Sequence, residues 1–367
     1  MTRDSRAPIE EVSVRAFTVP TEQPESDGTL EWHATTLVWV SVRAGGRTGC
    51  GYSYADTATA RLIHERLGPA LHGRDALEIT ACFDQMVASV RNLGRPGIAA
   101  MAISAIDSAL WDLKARLFDC AVAMLLGGAR RRVPAYGSGG FTSYALEELQ
   151  RQLSGWAQQG FTRVKMKVGR EPERDAGRVA AARSAIGAAT ELFVDANGAY
   201  ARKLALAMAE RFAALGVVWF EEPVSSDDLT GLRQVRERAP ACMEVSAGEY
   251  GYTSEYFRRM CAAQAIDVLQ ADATRCGGIT GFMRAAAIAD AFLLPLSSHC
   301  APSLHVHPCC AAPRVRHLEY FHDHVRLEQL LLEGAVRAHD GCVAPDLARP
   351  GFGLELRERD AARFETG

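Results

Sequence analysis

The stretch RVKMKVGR, residues 163–170, sets two lysines one residue apart within a run that is otherwise typical of a buried strand. Side chains alternate between the two faces of a strand, so Lys165 and Lys167 share one face while the apolar residues occupy the other. Two neighbouring ammonium groups repel each other, and burial makes the repulsion stronger. Such a pair indicates a role other than packing.

Short apolar runs of this kind alternate with helical stretches from residue 133 onward. Eight runs can be read: VPAYGSGG (133–140), RVKMKV (163–168), LFVDAN (192–197), VVWFEE (217–222), CMEVSAGE (242–249), IDVLQAD (266–272), FLLPLSSH (292–299) and RHLEYF (316–321). Helical candidates, such as residues 146–160 and 201–216, lie between them. Eight strand–helix units predict an α/β fold of the (β/α)8 barrel type. A doubly wound sheet would need a glycine-rich phosphate turn after an early strand, and no segment offers one in that context.

The first third of the chain has a different texture. Residues 11–19, 35–43 and 47–54 carry alternating or β-branched residues, which predicts antiparallel strands, and residues 97–118 have apolar residues at helical spacing. Antiparallel strands followed by helices predict a separate α+β domain.

Composition narrows the function classes. The 367 residues carry a net charge of −3, which argues against a nucleic-acid or membrane-surface partner. The start of the sequence lacks an apolar stretch of signal-peptide length, and no apolar run is long enough to span a bilayer. We therefore expect a cytoplasmic protein whose ten cysteines are reduced thiols.

Polar residues end six successive apolar runs of the predicted barrel. They are Lys167, Asp195, Glu221, Glu249, Asp272 and His299, spaced 23 to 28 residues apart. This spacing corresponds to one strand–helix unit each time. The six side chains should therefore meet at the carboxyl-terminal mouth of the barrel, where active sites of this fold lie.

Three of these residues, Asp195, Glu221 and Glu249, are carboxylates on adjacent strands. Like charges this close need a cation, and an all-oxygen set favours a hard ion, with Mg²⁺ as the default. Helix caps and surface ion pairs are the alternative interpretation. The segment HCAPSLHVHPCC (299–310) has a metal-like composition, but its spacing fits no common zinc pattern.

Basic groups flank the predicted metal site. Lys165 and Lys167 lie on the strand before it, and Asp272 and His299 come from the strands after it. Asp272 could hold His299 in one tautomer and support its protonated form. A ligand on the metal would then have a lysine on one face and a histidine on the other.

The motif set resembles the enolase superfamily, in its mandelate racemase subgroup. The matching pieces are KMK (165–167), VDAN (194–197), WFEEP (219–223), SAGE (246–249), DATRCGGIT (272–280), SSH (297–299) and LEY (318–320). The resemblance covers the whole chain. It implies an α+β capping domain (1–132), a barrel (133–324) and a C-terminal segment (325–367) that returns to the cap. Ala271 replaces a proline that many members carry there.

The resemblance implies a chemistry as well. Family substrates are carboxylates that bind one Mg²⁺ and lose the proton next to the carboxyl group, so that an enolate forms. Lys165 would stabilise the enolate oxygens, and Lys167 would be a base whose pKa Lys165 and the metal lower. Glu319 would be a protonated donor to the substrate, and Asn197 would touch substrate or water. Glu222 would lie behind the ligands.

In this family the front-end loops, here 20–33 and 51–56, cap the site and select the substrate. Trp32, His33, Tyr52 and Tyr54 are candidates for that contact, with packing at the domain interface as an equal alternative. We expect a small carboxylate partner, most of all a sugar acid, and a homo-oligomer. Dehydration is the favoured reaction, followed by racemisation or epimerisation and cycloisomerisation, and a non-catalytic binding protein is a remote alternative.

Overall fold

Three long antiparallel strands begin the chain, and helices follow them. The computed structural model describes residues 6–366, so that residues 1–5 of the predicted capping domain lie outside it. In chain order these elements are β1 (Ile9–Ser26), β2 (Glu31–Ala44), β3 (Arg47–Tyr54), α1 (Thr57–Leu62), a π-helical turn (Ile63–Leu67), α2 (Gly68–Leu71), α3 (Ile79–Ser89), α4 (Ile98–Leu117) and α5 (Val122–Leu125). The α+β texture predicted for this region is present.

Helix α4 lies unusually close to strand β3. A Cβ atom at Gly49 would fall 2.4 Å from the carbonyl oxygen of Ala109, and one at Gly51 would fall 2.3 Å from that of Ala105. Only glycine at these two positions lets the helix backbone approach the strand this closely. The small residues on both elements thus fix the position of the cap sheet against its main helix.

Eight strand–helix units follow and form the barrel. They are β4 (Val133–Gly139) and α6 (Leu146–Gln158), β5 (Arg163–Lys167) and α7 (Pro172–Ile186), β6 (Glu191–Asp195) and α8 (Arg202–Ala213), β7 (Val217–Glu221) and α9 (Leu229–Arg238), β8 (Glu244–Ala247) and α10 (Ser254–Ala262), β9 (Val268–Ala271) and α11 (Gly278–Ala291), β10 (Leu296–Ser298) and α12 (Pro302–Ala311), and β11 (Val315–Phe321) and α13 (His322–Leu331). Neighbouring strands are parallel, and β11 pairs with β4, which closes the barrel. The predicted barrel is confirmed.

The chain after α13 connects the two parts. It contains β12 (Leu332–Glu333), β13 (Cys342–Val343), β14 (Glu355–Leu356), α14 (Glu358–Ala361) and β15 (Glu365–Thr366). Strand β13 pairs with barrel strand β4, whereas β15 pairs with cap strand β1 through Thr366 and Ala16. Helix α13 itself spans the predicted boundary at 324/325. The exact domain boundaries remain a prediction.

Aromatic rings fill the barrel interior below the strand ends. Tyr136, Phe193 and Trp219 come from three strands, and their ring centroids lie 5.4 Å and 5.0 Å apart in succession. The buried ring of His317 packs against all three. Because side chains alternate along a strand, the residue two positions further on each strand also points inward. On β6 and β7 those residues are Asp195 and Glu221.

We compared the helices of residues 6–366 with what a membrane-spanning helix requires. None of their helices combines the length and the apolar character that crossing a bilayer requires.

Candidate active site

The carboxyl ends of the barrel strands bring the predicted polar residues together. Lys165 and Lys167 lie on β5, Asp195 and Glu221 end β6 and β7, and Glu319 lies on β11. Glu249, Asp272 and His299 follow the ends of β8, β9 and β10 within two residues. All eight side chains are buried. Parallel strands of a closed barrel share one rim, so consecutive units deliver these groups to one place.

The three predicted metal ligands form one cluster. Asp195, Glu221 and Glu249 each offer a carboxylate oxygen, and these oxygens all lie within 4.8 Å of one another. One oxygen of Glu249, Oε2, has no hydrogen-bond partner. Burial and the Asp195 carboxylate raise the pKa of Glu221 to about 8. A buried, oxygen-only set under this electrostatic stress fits a hard divalent cation such as Mg²⁺.

Both lysines of β5 contact carboxylates. Lys165 Nζ lies 2.5 Å from Glu221 Oε1 and 2.8 Å from Glu319 Oε1, while Lys167 Nζ lies 2.5 Å from Asp195 Oδ2. Burial lowers the pKa of Lys167, and so does the neighbouring Lys165, as predicted. The net shift is nevertheless upward, because the carboxylates around Lys167, Asp195 first among them, together outweigh both. The predicted lowering includes the charge of a bound metal ion, so it stays a prediction for the metal-bound site.

Asp272 and His299 form the predicted pair. His299 Nδ1 donates to Asp272 Oδ2 at 2.8 Å, which leaves Nε2 facing the cavity, 3.2 Å from the sulfur of Cys300. The other Asp272 oxygen accepts two hydrogen bonds from Thr274. Burial opposes protonation of His299, yet Glu249 and Asp272 outweigh it and raise its pKa. Asp272 thus fixes both the orientation and the tautomer of the imidazole.

Glu319 differs from its predicted state. It accepts hydrogen bonds from Ser138 Oγ at 2.6 Å and from the backbone N–H of Cys300 at 2.8 Å, in addition to the Lys165 contact. Burial favours the protonated acid, but Lys165 and His299 outweigh burial and hold the pKa of Glu319 well below its ordinary value. The expectation of a protonated Glu319 therefore disagrees with its surroundings, where positive charge dominates.

A cavity of about 370 Å³ opens between this rim and the cap. Lys167, Glu249 and His299 line it from the barrel side, so the lysine, the histidine and a predicted metal ligand face one space. Asn197 lines it as well. Its backbone N–H donates to Asp195 Oδ1 at 2.9 Å, and its side-chain oxygen, buried and without a partner, remains available to a ligand.

The four cap candidates separate into two groups. Trp32 and Tyr54 line the cavity, with Trp32 held by a hydrogen bond to Glu25 and Tyr54 stacked on His324. Tyr52 is fully buried away from the cavity, and its hydroxyl donates to Glu328 at 2.7 Å. His33 is not among the lining residues, and 70% of its side chain is exposed. The structure therefore does not bring Tyr52 and His33 to the site.

The segments predicted to be capping loops are largely strand. Strand β1 continues to Ser26 and β2 starts at Glu31, which leaves only a short turn between them, while residues 51–54 belong to β3. Asp27 closes the turn by accepting hydrogen bonds from the backbone of Thr29 and Leu30. The loop assignment for residues 20–33 and 51–56 came from the resemblance to the family, not from a local turn signal.

Arg275 is a site residue that the sequence analysis did not single out. It lines the cavity, and its guanidinium lies 3.3 Å from Glu249 Oε1 and 3.7 Å from Asp272 Oδ2. It thus bridges a predicted metal ligand and the carboxylate behind His299. Its position three residues after Asp272, on the same segment that follows β9, was the signal that could have identified it.

Two further expectations concern neighbouring residues. Glu222 is buried behind the cluster with one oxygen unpartnered, and burial and Glu249 raise its pKa. In the histidine- and cysteine-rich segment, His305 sits in α12 and accepts from the backbone of Ala273 at 2.7 Å. His307 accepts from the backbone of Ala123. These two histidines contact the protein backbone, whereas His299 and Cys300 of the same segment lie with Glu319 in a group whose candidate ligand atoms are within 4.8 Å of one another.

Comparison with known proteins agrees with this geometry. Residues 148–361 match the family model described as enolase C-terminal domain-like, and residues 10–127 match the mandelate racemase / muconate lactonizing enzyme N-terminal domain. A 3,6-anhydro-alpha-L-galactonate cycloisomerase of Streptomyces coelicolor is 32% identical, covering 98% of this chain and 100% of the relative. An arabinonate dehydratase of Saccharolobus solfataricus is 31% identical, covering 90% of each.

Solved structures extend the comparison. A mandelate racemase/muconate lactonizing enzyme-like protein from Rubrobacter xylanophilus has a TM-score of 0.96 at 50% identity, over 98% of this chain and 100% of that one. A racemase from Streptomyces coelicolor with bound magnesium has a TM-score of 0.92 at 30% identity, with the same coverage.

The L-talarate/galactarate dehydratase of Salmonella typhimurium, liganded with Mg and L-lyxarohydroxamate, has a TM-score of 0.91 at 27% identity, over 100% of this chain and 95% of that one. Magnesium in related structures and the buried acidic cluster here support the predicted cofactor. The relatives include both dehydratases and cycloisomerases. The chain belongs to the enolase superfamily, in its mandelate racemase subgroup.

Proposed function

We propose that this protein removes the α-proton of a sugar acid in a Mg²⁺-dependent reaction and dehydrates it to a 2-keto-3-deoxy acid. The observation that carries the proposal is the cavity that Lys167, His299 and Glu249 line together, with Asp272 bonded to His299 and with Asp195 and Glu221 clustered beside Glu249. Relatives that dehydrate arabinonate and talarate or galactarate support the substrate class, an aldonate or an aldarate.

Asp195, Glu221 and Glu249 would hold the metal ion. When bound there, Mg²⁺ supplies positive charge that acidifies the α-hydrogen of a carboxylate substrate and competes with the Lys167 ammonium for Asp195. Lys165 is fixed between Glu221 and Glu319, 2.5 Å and 2.8 Å away. Its ammonium therefore stays beside the acidic cluster and stabilises the negative charge that develops on the substrate carboxyl group.

Lys167 and His299 divide the proton transfers. Lys167 Nζ, as the neutral amine, takes the α-proton, and the electron pair of the C–H bond forms a double bond to the β-carbon. The bond from the β-carbon to its hydroxyl breaks as His299 Nε2 gives that oxygen a proton, so that water leaves. The enol that remains becomes the 2-keto acid. Asp272 holds Nδ1 throughout, which aims Nε2 at the cavity.

Isomerisation is the second candidate. If His299 returns a proton to the α-carbon instead of protonating the β-hydroxyl, the product is an epimer. The Streptomyces coelicolor relative, which matches along nearly the whole chain, is a cycloisomerase, and this favours keeping an isomerase alternative. A non-catalytic binding protein would be expected to lack some of these groups. Here the lysines, the acidic cluster and the histidine pair are all in place.

A panel of mono- and dicarboxylate sugar acids with Mg²⁺ tests the proposal. Dehydration predicts a product that reacts with semicarbazide and has lost one water by mass spectrometry. A sample treated with a chelator serves as the control. A product of unchanged mass, with only inversion at C2 or a changed ring by NMR, would replace dehydration with isomerisation. Absence of α-proton exchange in D₂O with every acid would contradict the common first step.

A further inference from the structure

We propose that the active site selects monocarboxylate sugar acids over the matching dicarboxylates. The inference rests on the proposed function and narrows its substrate class from aldonate or aldarate to aldonate. In the proposed function, one carboxyl group of the substrate would lie at the metal ion held by the acidic cluster. The selection follows from the charges that the cap side of the cavity presents to the other end of the substrate.

The cap side of the cavity is acidic. Asp27 in the turn between β1 and β2 and Asp56 directly after β3 line the cavity from the cap, and Asp323 in the first turn of the barrel helix α13 lines it as well. Asp323 is itself paired with Arg326 at 2.8 Å. Burial and Asp323 raise the pKa of the buried Glu25 to about 8, so that Glu25 is mostly protonated at pH 7. A carboxylate at the far end of a substrate would therefore approach the charges of Asp27 and Asp56, and the approach of like charges is unfavourable.

Among residues 6–366, the cap side presents no unpaired positive charge to the cavity. Lys167 and Arg275 are the lysine and arginine that line the cavity, and both lie on the barrel side, against Asp195 and Glu249. Arg326 does not line it and is held by Asp323 at 2.8 Å and the carbonyl of Pro20. Burial lowers the pKa of His324 well below its ordinary value, which keeps it neutral.

Hydroxyl groups suit the same surface. Carboxylate oxygens accept hydrogen bonds and cannot donate them. Asp27 and Asp56 can therefore accept hydrogen bonds that sugar hydroxyls donate. A separate observation points to the same ligand chemistry. The side-chain oxygen of Asn197 is an acceptor without a partner on a residue only 9% exposed, and Asn197 lines the cavity. The acidic cluster would bind one carboxyl group of the substrate through its metal ion, and the cap side offers acceptors for neutral hydroxyls.

Matched acid pairs test the selection directly. Isothermal titration calorimetry of the Mg²⁺-saturated protein would compare gluconate with glucarate, galactonate with galactarate, and arabinonate with arabinarate. We expect the monoacid of at least one pair to bind roughly 100-fold tighter than its diacid, since like charges juxtaposed in a binding site are strongly disfavoured. The ratio of kcat/KM within that pair should follow the same direction.

Two neutral variants identify the source of the selection. Asp27→Asn and Asp56→Asn each remove one charge, and asparagine keeps the local structure because its oxygen can still accept from Leu30 N–H and from Ala58 N–H. Each should reduce the monoacid preference by about 3- to 10-fold. Glu210→Gln, an equal charge change at an exposed position on α8, should leave the preference unchanged.

The outcomes separate this inference from the proposed function. Equal or tighter binding of the diacid in every pair would overturn the inference, and a 2-keto product from that diacid would leave dehydration standing. Tighter Mg²⁺-dependent binding of a monoacid without any keto product would support the inference while dehydration fails. Failure of every acid to bind, or a preference that both aspartate variants leave intact, would also overturn it.

Discussion

The barrel side and the cap side of the cavity are built by different means. On the barrel side, the lysines, the histidine and the carboxylates stand at or near strand ends and are buried, and they contact oppositely charged groups, as Lys167 contacts Asp195 and His299 contacts Asp272. On the cap side, Asp27 lies in a turn and Asp56 directly after a strand. Asp56 there is exposed and caps helix α1.

This difference assigns separate tasks to the two sides. Strands of a closed barrel hold side chains at fixed positions, which proton transfer requires. Turns and strand ends can change without disturbing the barrel, so the cap can vary in substrate preference while the chemistry stays constant. The predictions that follow disturb the barrel side first, then the junction, and last the cap side.

Removal of the metal should have the largest effect. We expect chelation to abolish turnover and Mg²⁺ to restore it, and Glu221→Gln to lower kcat roughly 10³-fold, because metal charge stabilisation amounts to several kcal/mol. Calorimetry should show weaker Mg²⁺ binding by the variant. Its thermal unfolding should remain cooperative, with Glu210→Gln as the matched control. Full activity in chelator-treated buffer would refute the ligand assignment.

Loss of either proton-transfer group should come next. Lys167→Ala and His299→Ala should each lower kcat by about 10²- to 10⁴-fold, the usual contribution of a positioned acid or base. The two variants should differ in whether they exchange the α-proton of the substrate for deuterium in D₂O. The variant that retains the base for this proton should still catalyse the exchange.

Exposed residues supply the controls for this pair. Lys203→Ala and His339→Ala change the same residue types at exposed positions and should behave like the parent protein. If neither Lys167→Ala nor His299→Ala exchanges the proton while the parent does, the division of roles between them is wrong.

The junction between cap and barrel should respond to pH. Burial raises the pKa of Glu328 to about 7, although Ser303 and Tyr52 donate hydrogen bonds to it. A raised carboxyl pKa means that the folded state holds the proton more tightly than the unfolded state. Its stabilising contribution is complete below pH 4.5, the ordinary value, and is lost as the pH rises through about 7.

Glu328→Gln should therefore remove part of the pH dependence of stability. Between pH 5 and pH 8, the free energy of unfolding of the parent should fall relative to the variant by up to roughly 3 kcal/mol. Urea unfolding at several pH values measures this. Glu333→Gln, at an exposed position in the segment after α13, is the control. Parallel curves for parent and Glu328→Gln would contradict the prediction.

The smallest effect is expected on the cap side, where two tyrosines make a matched pair. Tyr54→Phe removes a hydroxyl from the cavity lining and should lower kcat/KM for a polyol substrate about 2- to 10-fold, the effect of one lost hydrogen bond. Tyr52→Phe removes the donor to Glu328 and should lower stability by about 1–3 kcal/mol without changing kcat/KM. The opposite pattern would show that Tyr52, not Tyr54, meets the substrate.

The barrel could be predicted because its signal repeats. A polar residue recurred at the ends of six successive runs, and the alternation of side chains placed Lys165 and Lys167 on one face without any structural knowledge. The structure places Asp195, Glu221 and Glu249 in the predicted cluster and joins His299 to Asp272. A local periodicity, repeated through the chain, determines these positions.

The cap could not be predicted to the same depth because its contacts are long-range. Nothing near Tyr52 in sequence shows that its hydroxyl meets Glu328, 276 residues later, or that His33 points to solvent. The net shift in the pKa of Lys167 also depends on a residue 28 positions away. Spacing shows which strand end a group occupies, but not the sum of the charges around it.

The aromatic layer inside the barrel closes the active-site cavity at its lower end. Lys165 Nζ lies 5.5 Å from the ring centre of Tyr136, and the rings of Phe193, Trp219 and His317 fill the space at that level. Substrate, expelled water and product must then enter and leave at the cap end of the barrel. The cap would thus control the rates of substrate entry and product release. Altered cap residues could therefore change turnover while every proton-transfer group keeps its position.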